Sequence, residues 1–283
     1  MSARSARSKD SSDTTQGPIN QGETADPTTE SPSTESAAAH DDPKEIANIS
    51  LADAERPLTL CIDIGGTGLK AMVLDAQGRQ LTDRARIETP RPATTDAILR
   101  TLVHLVEPLG EFDRVSTGFP GVVQAGVTKT APNLDPSWTG FALGAELTEL
   151  LGKPVKVLND AGVQGHGVVE GSGVEMVLTL GTGMGCALFV DGKYVPNLEL
   201  AHHPFAKGKT YEQYVGAKAL VKVGKKRWNK RVLKILAQID PIWNPRVIYL
   251  GGGNAKKLSV TLPANVKVTD NVAGLLGGVK LWS

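Results

Sequence analysis

Asp63-Ile64-Gly65-Gly66-Thr67-Gly68-Leu69-Lys70 is the stretch from which the rest of the chain can be read. Leu58-Thr59-Leu60-Cys61-Ile62 before it and Ala71-Met72-Val73-Leu74 after it are short, apolar and β-prone, and Asp75-Ala76-Gln77-Gly78 then marks a turn. The pattern predicts strand, glycine-rich turn, strand. Glycine lets the backbone turn tightly and approach a ligand, and successive amide N–H groups in such a turn can form an anion-binding nest. Thr67 adds a hydroxyl, Lys70 a positive charge, and Asp63 a carboxylate able to hold a hydrated metal ion. An ordinary tight hairpin fits the same stretch. The spacing is neither the dinucleotide fingerprint nor the P-loop.

A second stretch repeats the pattern. Val177-Leu178-Thr179-Leu180 leads into Gly181-Thr182-Gly183-Met184-Gly185, and Cys186-Ala187-Leu188-Phe189-Val190 runs on to the turn Asp191-Gly192. Two copies more than a hundred residues apart suggest a duplicated domain with a phosphate loop in each half. A ligand phosphate would lie between the halves.

The chain has 283 residues, enough for one large or two small domains. Its net charge of +1 hides an uneven distribution: residues 1–55 hold eleven acids and four Lys/Arg, a net of −7, so the remainder carries +8. A basic body fits an anionic ligand. The two cysteines, Cys61 and Cys186, each fall in an apolar strand, with no spacing for zinc or a disulfide framework, which fits a reducing compartment. No apolar run approaches the ~20 residues of a membrane span, and no secretory signal core precedes the body. A cytoplasmic location is expected.

Residues 1–55 contain no aromatic residue and are dense in Ser, Thr, Pro, Asp and Glu, the composition of a disordered tail. From Pro57 onward, Gln80–Ile87 reads as a third strand, Thr94–Val106 as a helix, and Val115–Val123 as a strand entering a Gly/Pro turn. Ala131–Trp138, which includes Asn133, is loop-like; Phe141–Leu151 reads as a helix. Val155-Lys156-Val157-Leu158 is a strand ending at Asn159-Asp160, where a helix through Glu170 opens. Ligands of open α/β sheets bind at such strand ends, yet Asp is also a common helix cap, so Asp160 suits both roles. Glu199, His202 and His203 crowd a loop that is either merely solvated or a binding site; they make a poor zinc set.

Between Glu212 and Asp240 there are eight bases and no acid: Lys218, Lys222, Lys225, Lys226, Arg227, Lys230, Arg231 and Lys234. Trp228, Val232, Leu236 and Ile239 fall at near-helical spacing and would pack inward, leaving the bases on the outer face. A solvated helix face is one reading; the absence of acids for i,i+4 pairing favours an anion-binding surface. Arg246–Leu250 is a strand running into Gly251-Gly252-Gly253-Asn254, a third glycine turn, and Gly274–Trp282 reads as a closing helix.

Asp63–Lys70, Asn159-Asp160, Leu180–Gly185, Glu199–His202 and Leu250–Gly253 occur in the order seen in the ROK group of the actin-like ATPase superfold. From about Pro57 to the C-terminus the chain resembles that group, and most of all its polyphosphate glucokinase branch. The resemblance implies two actin-like (ribonuclease H-like) α/β domains flanking a cleft, over residues 56–158 and 159–271, with the helix at 272–283 packing back on the first. It implies Asp160 as the general base that takes a proton from the attacking sugar hydroxyl, and Asn133, Asn159, Glu199, His202 and Glu212 as sugar ligands. The donor phosphate would fall to Gly65, Gly66, Thr67, Lys70, Gly181, Thr182 and Gly183, with Asp63 holding Mg²⁺ through water. Gly251, Gly252 and Gly253 would border adenosine.

Two departures from the group's pattern carry information. Many members have a Cys-rich zinc knot between the counterparts of His202 and Glu212; here that interval has no Cys, as in the polyphosphate branch. The usual Glu-x-Gly-His appears as Glu199-Leu200-Ala201-His202. Lys225-Lys226-Arg227-Trp228 resembles the branch's basic-Trp stretch, so Lys225, Lys226 and Lys230 are expected to meet polyphosphate. The expected activity is phosphoryl transfer from polyphosphate or ATP to glucose or a close hexose, with Mg²⁺ and no zinc. A homodimer is expected, with neither nucleic acid nor membrane as partner. The alternatives are an ATP-dependent hexokinase of other sugar specificity and a non-catalytic sugar-sensing regulator.

Overall fold

The computed structural model describes residues 50–269 and 273–283. The tail expected over residues 1–55 lies outside the described residues as far as residue 49. Beyond it, Leu51–Asp53 forms a 3-10 turn capped by Ser50, and this segment is tied to the body: the Arg79 guanidinium donates to the Asp53 carbonyl at 3.1 Å and the Ala76 amide to the Glu55 carbonyl at 2.8 Å.

The first half contains β1 (Thr59–Ile64), β2 (Gly68–Leu74), β3 (Ala85–Glu88), α1 (Thr95–Val106), β4 (Arg114–Phe119), the small hairpin β5 (Val123–Gln124) and β6 (Val127–Thr128), α2 (Leu143–Leu151) and β7 (Val155–Asn159). Its five-stranded sheet has the order β3-β2-β1-β4-β7. β1 runs antiparallel to β2 and parallel to β4, which is parallel to β7. β1 and β2 are apolar almost throughout because both sheet faces are covered. The Thr94 hydroxyl caps α1 by accepting from the Ala97 amide, and Ile98, Leu102 and Leu105 recur at helical spacing to pack on Leu60, Ile62, Leu69 and Phe119.

The second half contains α3 (Asp160–Val168), β8 (Val174–Leu180), β9 (Met184–Val190), β10 (Lys193–Val195), the hairpin β11 (Pro204–Ala206) and β12 (Lys209–Thr210), α4 (Tyr211–Val215), α5 (Ala217–Trp243), β13 (Val247–Gly251), β14 (Val266–Val268) and α6 (Ala273–Lys280). Its sheet, β10-β9-β8-β13-β14, repeats the first: an antiparallel hairpin, β8–β9, extended by strands parallel to β8. α6 closes back on the first sheet. Ser116 Oγ on β4 donates to the Gly278 carbonyl at 2.5 Å and accepts from Trp282 Nε1 at 2.9 Å, while Val279 packs with Cys61 and Met72. Both cysteines are free and buried, and burial pushes each thiol up to about 12. Among the described residues no helix is long and apolar enough to cross a membrane.

Several elements differ in detail from the sequence reading. The third strand is shorter than Gln80–Ile87, since Gln80 forms only an isolated bridge to Leu74. Phe141 stays outside α2, its ring edge-on to Trp138 with centroids 5.4 Å apart. α5 buries Trp228, Val232, Leu236 and Ile239 as its spacing predicts, but it is broken at Gly224, whose φ of 74° and ψ of 158° interrupt the helix. Only glycine adopts such a backbone without strain.

Candidate functional site

Each glycine turn closes its hairpin with a backbone bond from its first glycine to its last, over four residues in the first turn and three in the second. The Gly65 amide donates to the Gly68 carbonyl at 3.1 Å, and the Gly181 amide to the Gly183 carbonyl at 3.1 Å. In each turn the carbonyls are tied back into the protein. Thr89 Oγ1 donates to the Gly65 carbonyl at 2.5 Å and the Arg91 guanidinium to that of Gly66. Asn254 Nδ2 donates to the Gly181 carbonyl at 2.9 Å, and the Ala217 amide to Gly181 and Thr182. Among the described residues the amides of Gly66, Thr67, Thr182 and Gly183 donate to no backbone carbonyl, which leaves them for an anion.

Both turns line one cavity of about 650 Å³. From the first half come Asp63, Gly65, Gly66, Thr67, Lys70 and Asn133; from the junction Asn159 and Asp160; from the second half Gly181, Thr182, Gly183, Glu199, His202, Glu212, Gly252 and Gly253. Asp63 and Lys70 are register partners across β1 and β2 and form an ion pair at 2.6 Å. Glu212 reaches the wall beneath the second turn because Gly183 has no side chain; a Cβ there would collide with the Glu212 carboxylate.

At the end of β7 the two readings of Asp160 separate. Asn159 is the N-cap of α3, its Oδ1 accepting from the Ala161 amide at 3.0 Å and the Gly162 amide at 3.4 Å, while its Nδ2 donates to the Gly121 carbonyl. Asp160 Oδ1 accepts from the Ala161 amide at 2.7 Å, and the residue lines the cavity. Burial pushes the Asp160 carboxyl up to about 7, helped by the negative charges of Asp63 and Glu199 and opposed by the Ala161 N–H and Lys70. Burial also raises Glu199, with His202 opposing; Glu199 Oε2 and His202 Nε2 stand 3.3 Å apart. Ala201, the departure from the Glu-x-Gly-His pattern, is buried in the core of the second half and does not line the cavity. His203 turns away, its Nδ1 2.9 Å from the Pro204 carbonyl oxygen.

Four of the expected donor-side residues do not line this cavity. Gly251 is still within β13 and lies against the Gln164 side-chain amide, so only the following glycines reach the opening. Lys225, Lys226 and Lys230 are exposed on α5, beyond the break at Gly224; of α5, Ala217 alone lines the cavity. The sequence reading passed over Arg84, Gln164, Thr179 and Asn254, all on the wall. Asn254 follows the third glycine turn directly and could have been found there; Arg84 is brought in by the pairing of β3 with β2. Among the described residues no three His, Cys, Asp or Glu side chains converge as a metal-binding group.

Two α/β halves of matching topology, each offering a glycine turn to a shared cavity, define the actin-like fold of sugar kinases. The ROK family model matches residues 59–196, and the chain belongs to that family. The polyphosphate glucokinase of Mycobacterium leprae (strain TN) is 35% identical over 227 residues, covering 76% of this chain and 69% of that protein. The polyphosphate glucokinase of Mycobacterium tuberculosis (strain ATCC 25618 / H37Rv) is 33% identical over 237 residues, covering 76% and 88%. Among solved structures, the inorganic polyphosphate/ATP-glucomannokinase of Arthrobacter sp. strain KM superposes with a TM-score of 0.73 at 31% identity, covering 81% of this chain and 100% of that one.

Proposed function

We propose that the protein transfers a phosphoryl group from inorganic polyphosphate, and from ATP, to a hydroxyl of glucose or a close hexose, with Asp160 as general base. The observation that carries this reading is a single cavity lined by a carboxylate of raised proton affinity, two anion-receptive glycine turns and the acid–imidazole cluster Glu199, His202 and Glu212. Phosphoryl transfer needs positioning and charge neutralisation more than covalent catalysis, and these residues supply both.

The sugar is held by Glu199, His202 and Glu212 of the second half, with Asn133 from the first half and Asn159 from the junction. The donor phosphates rest on the free amides of the two turns, beside Lys70. Asp160 accepts the proton of the attacking hydroxyl as its oxygen bonds to phosphorus and the bond from phosphorus to the leaving phosphate breaks. A base whose proton affinity sits near neutrality is suited to that task. Gly252, Gly253 and Asn254 line the cavity on the second half and would border adenosine, the basis for ATP as an additional donor.

Mg²⁺ suits the donor set. It is usually held by one or two carboxylates, donor phosphates and water rather than by a cage of protein ligands. Asp63, a third exposed and on the wall, would be its carboxylate. When bound, Mg²⁺ neutralises charge on the donor phosphates. The reading carries with it a cytoplasmic location and a homodimer.

A coupled assay offering glucose with polyphosphate or ATP tests this. Glucose-dependent consumption of polyphosphate is expected. Absence of turnover with both donors would contradict the reading and favour a sugar sensor.

A further inference from the structure

β3 is the edge strand of the first sheet, and its register with β2 sets Arg86 opposite Lys70. Directly paired residues share a sheet face, and like charges so placed are destabilising. Lys70 is offset by Asp63, but Arg86 has no such partner: among the described residues neither Arg84 nor Arg86 takes part in an ion pair. Both are exposed. Arg84, two residues before Arg86, lines the cavity itself. The Arg86 guanidinium lies over Gly68, at the end of the first glycine turn: a Cβ built on Gly68 would stand 3.1 Å from Arg86 Nε and 3.2 Å from Nη2. The missing side chain at Gly68 therefore gives the guanidinium its seat. Two guanidinium groups outside any ion pair among the described residues thus stand at the edge of the first half, Arg84 on the cavity wall and Arg86 opposite Lys70.

We propose that Arg84 and Arg86 form a subsite for the non-reacting phosphates of a linear polyphosphate, so that the chain leaves the cavity over β3. The proposal rests on polyphosphate being a donor. Guanidinium presents paired N–H groups to phosphate oxygens, and a repeating polyanion can occupy successive cations where a nucleotide runs out of charge. ATP has its adenosine to place, and the proposed function assigns it to Gly252, Gly253 and Asn254 of the opposite half, which line the same cavity. The subsite therefore discriminates by donor and by chain length. The bases Lys225, Lys226 and Lys230 stand off the cavity on α5 and are the natural rival for the same phosphates.

The test compares wild type, the Arg84→Ala/Arg86→Ala double variant, the Arg84→Lys/Arg86→Lys double variant and a Lys225→Ala/Lys226→Ala/Lys230→Ala triple variant. Each is assayed with glucose and ATP, tripolyphosphate or long-chain polyphosphate, and thermal melting checks that it is folded. Loss of charge-assisted contacts predicts that the alanine double variant loses about tenfold or more in kcat/KM on long polyphosphate beyond its loss on ATP. Tripolyphosphate should fall between them, and the lysine double variant should recover part of the loss. Equal losses on all donors would overturn the proposal, because the arginines would then serve only the shared glycine turn. It would also be overturned if the α5 triple variant alone lost long-chain turnover. Polyphosphate turnover in wild type with no selective loss in the arginine variants sinks the subsite alone. No polyphosphate turnover in wild type sinks the donor reading and the subsite with it.

Discussion

The two sheets share one strand order and differ in what their glycine turns carry. In the first half the pair just before the turn is Ile64 and Leu69, and one step further out stand Asp63 and Lys70. In the second half the corresponding pairs are Leu180 with Met184 and then Thr179 with Gly185. An ion pair at 2.6 Å in one half is thus replaced in the other by a neutral bond, the Gly185 amide donating to Thr179 Oγ1 at 3.0 Å. Duplication explains why both turns can receive an anion. At these paired positions only the first half carries a carboxylate and an ammonium group, the pair that the proposed function assigns to a metal ion and a donor phosphate. Asp160 belongs to neither turn: it follows the last strand of the first sheet and opens the first helix of the second half.

The sharpest way to break this division is at the junction. Asp160→Asn should lower kcat by about 10²–10⁴, the usual cost of losing a general base, with glucose affinity little changed. Steady-state turnover and a glucose titration of the same preparation check it. Near-normal turnover would reduce Asp160 to a structural partner of the Ala161 amide.

The next test sets the two turns against each other. Asp63→Asn removes a charged partner and should cost about 10- to 100-fold in kcat/KM for the donor; Thr179→Ala removes a neutral hydrogen bond and should cost less than about tenfold. Equal losses would mean that the charge difference between the halves has no role in turnover.

The smallest effects on activity, though measurable in stability, are expected at two buried carboxylates that serve the halves in parallel. Asp75 accepts from the Gln77 and Arg79 amides and pairs with the Arg79 side chain; Glu175 accepts from the amides of Glu170, Gly171 and Ser172, from Arg246 and from the Tyr249 hydroxyl. Burial alone would raise both, but these donors together outweigh it and hold both carboxyls below their ordinary values. A lowered value in the folded state means stability that is present above the unfolded pKa, about 4, and lost as pH falls through the folded one. Asp75→Asn and Glu175→Gln should each destabilise by about 1–3 kcal/mol at neutral pH and flatten the acid limb of the melting temperature. Unaltered melting curves from neutral to acid pH would contradict this.

What could be read in the sequence was what is contiguous in it. Asp63 to Lys70 is a single hairpin, so its strand–turn–strand form follows from eight successive residues, whereas the pairing of Asp63 with Lys70 came from the register. Asn159-Asp160 was marked by the end of an apolar run, although which of the two caps the helix depends on backbone geometry that the pair of names does not carry. Residues positioned by strand register were hidden. Arg86 stands opposite Lys70, and Arg84 on the cavity wall, only because β3 pairs with β2, and nothing local to Arg84-Ala85-Arg86 announces it. Composition marked a second region whose relation to the cavity it could not give: the run from Lys218 to Lys234 is the strongest charge signal in the chain, yet Lys225, Lys226 and Lys230, beyond the break at Gly224, are exposed and do not line the cavity. Gly251 shows the same limit at the scale of one residue, since the strand runs one position further than the first glycine suggests.

The pH dependence of kcat/KM for glucose tests the central claim most directly, because that ratio reports the ionisation of the free enzyme. The carboxyl of Asp160 is pushed up to about 7, so below that pH it holds its proton and cannot accept another. The account predicts that kcat/KM falls about tenfold per pH unit below a bend near 7, and that Asp160→Asn abolishes that bend. A level profile down to about pH 5, or the same bend retained in Asp160→Asn, would contradict it.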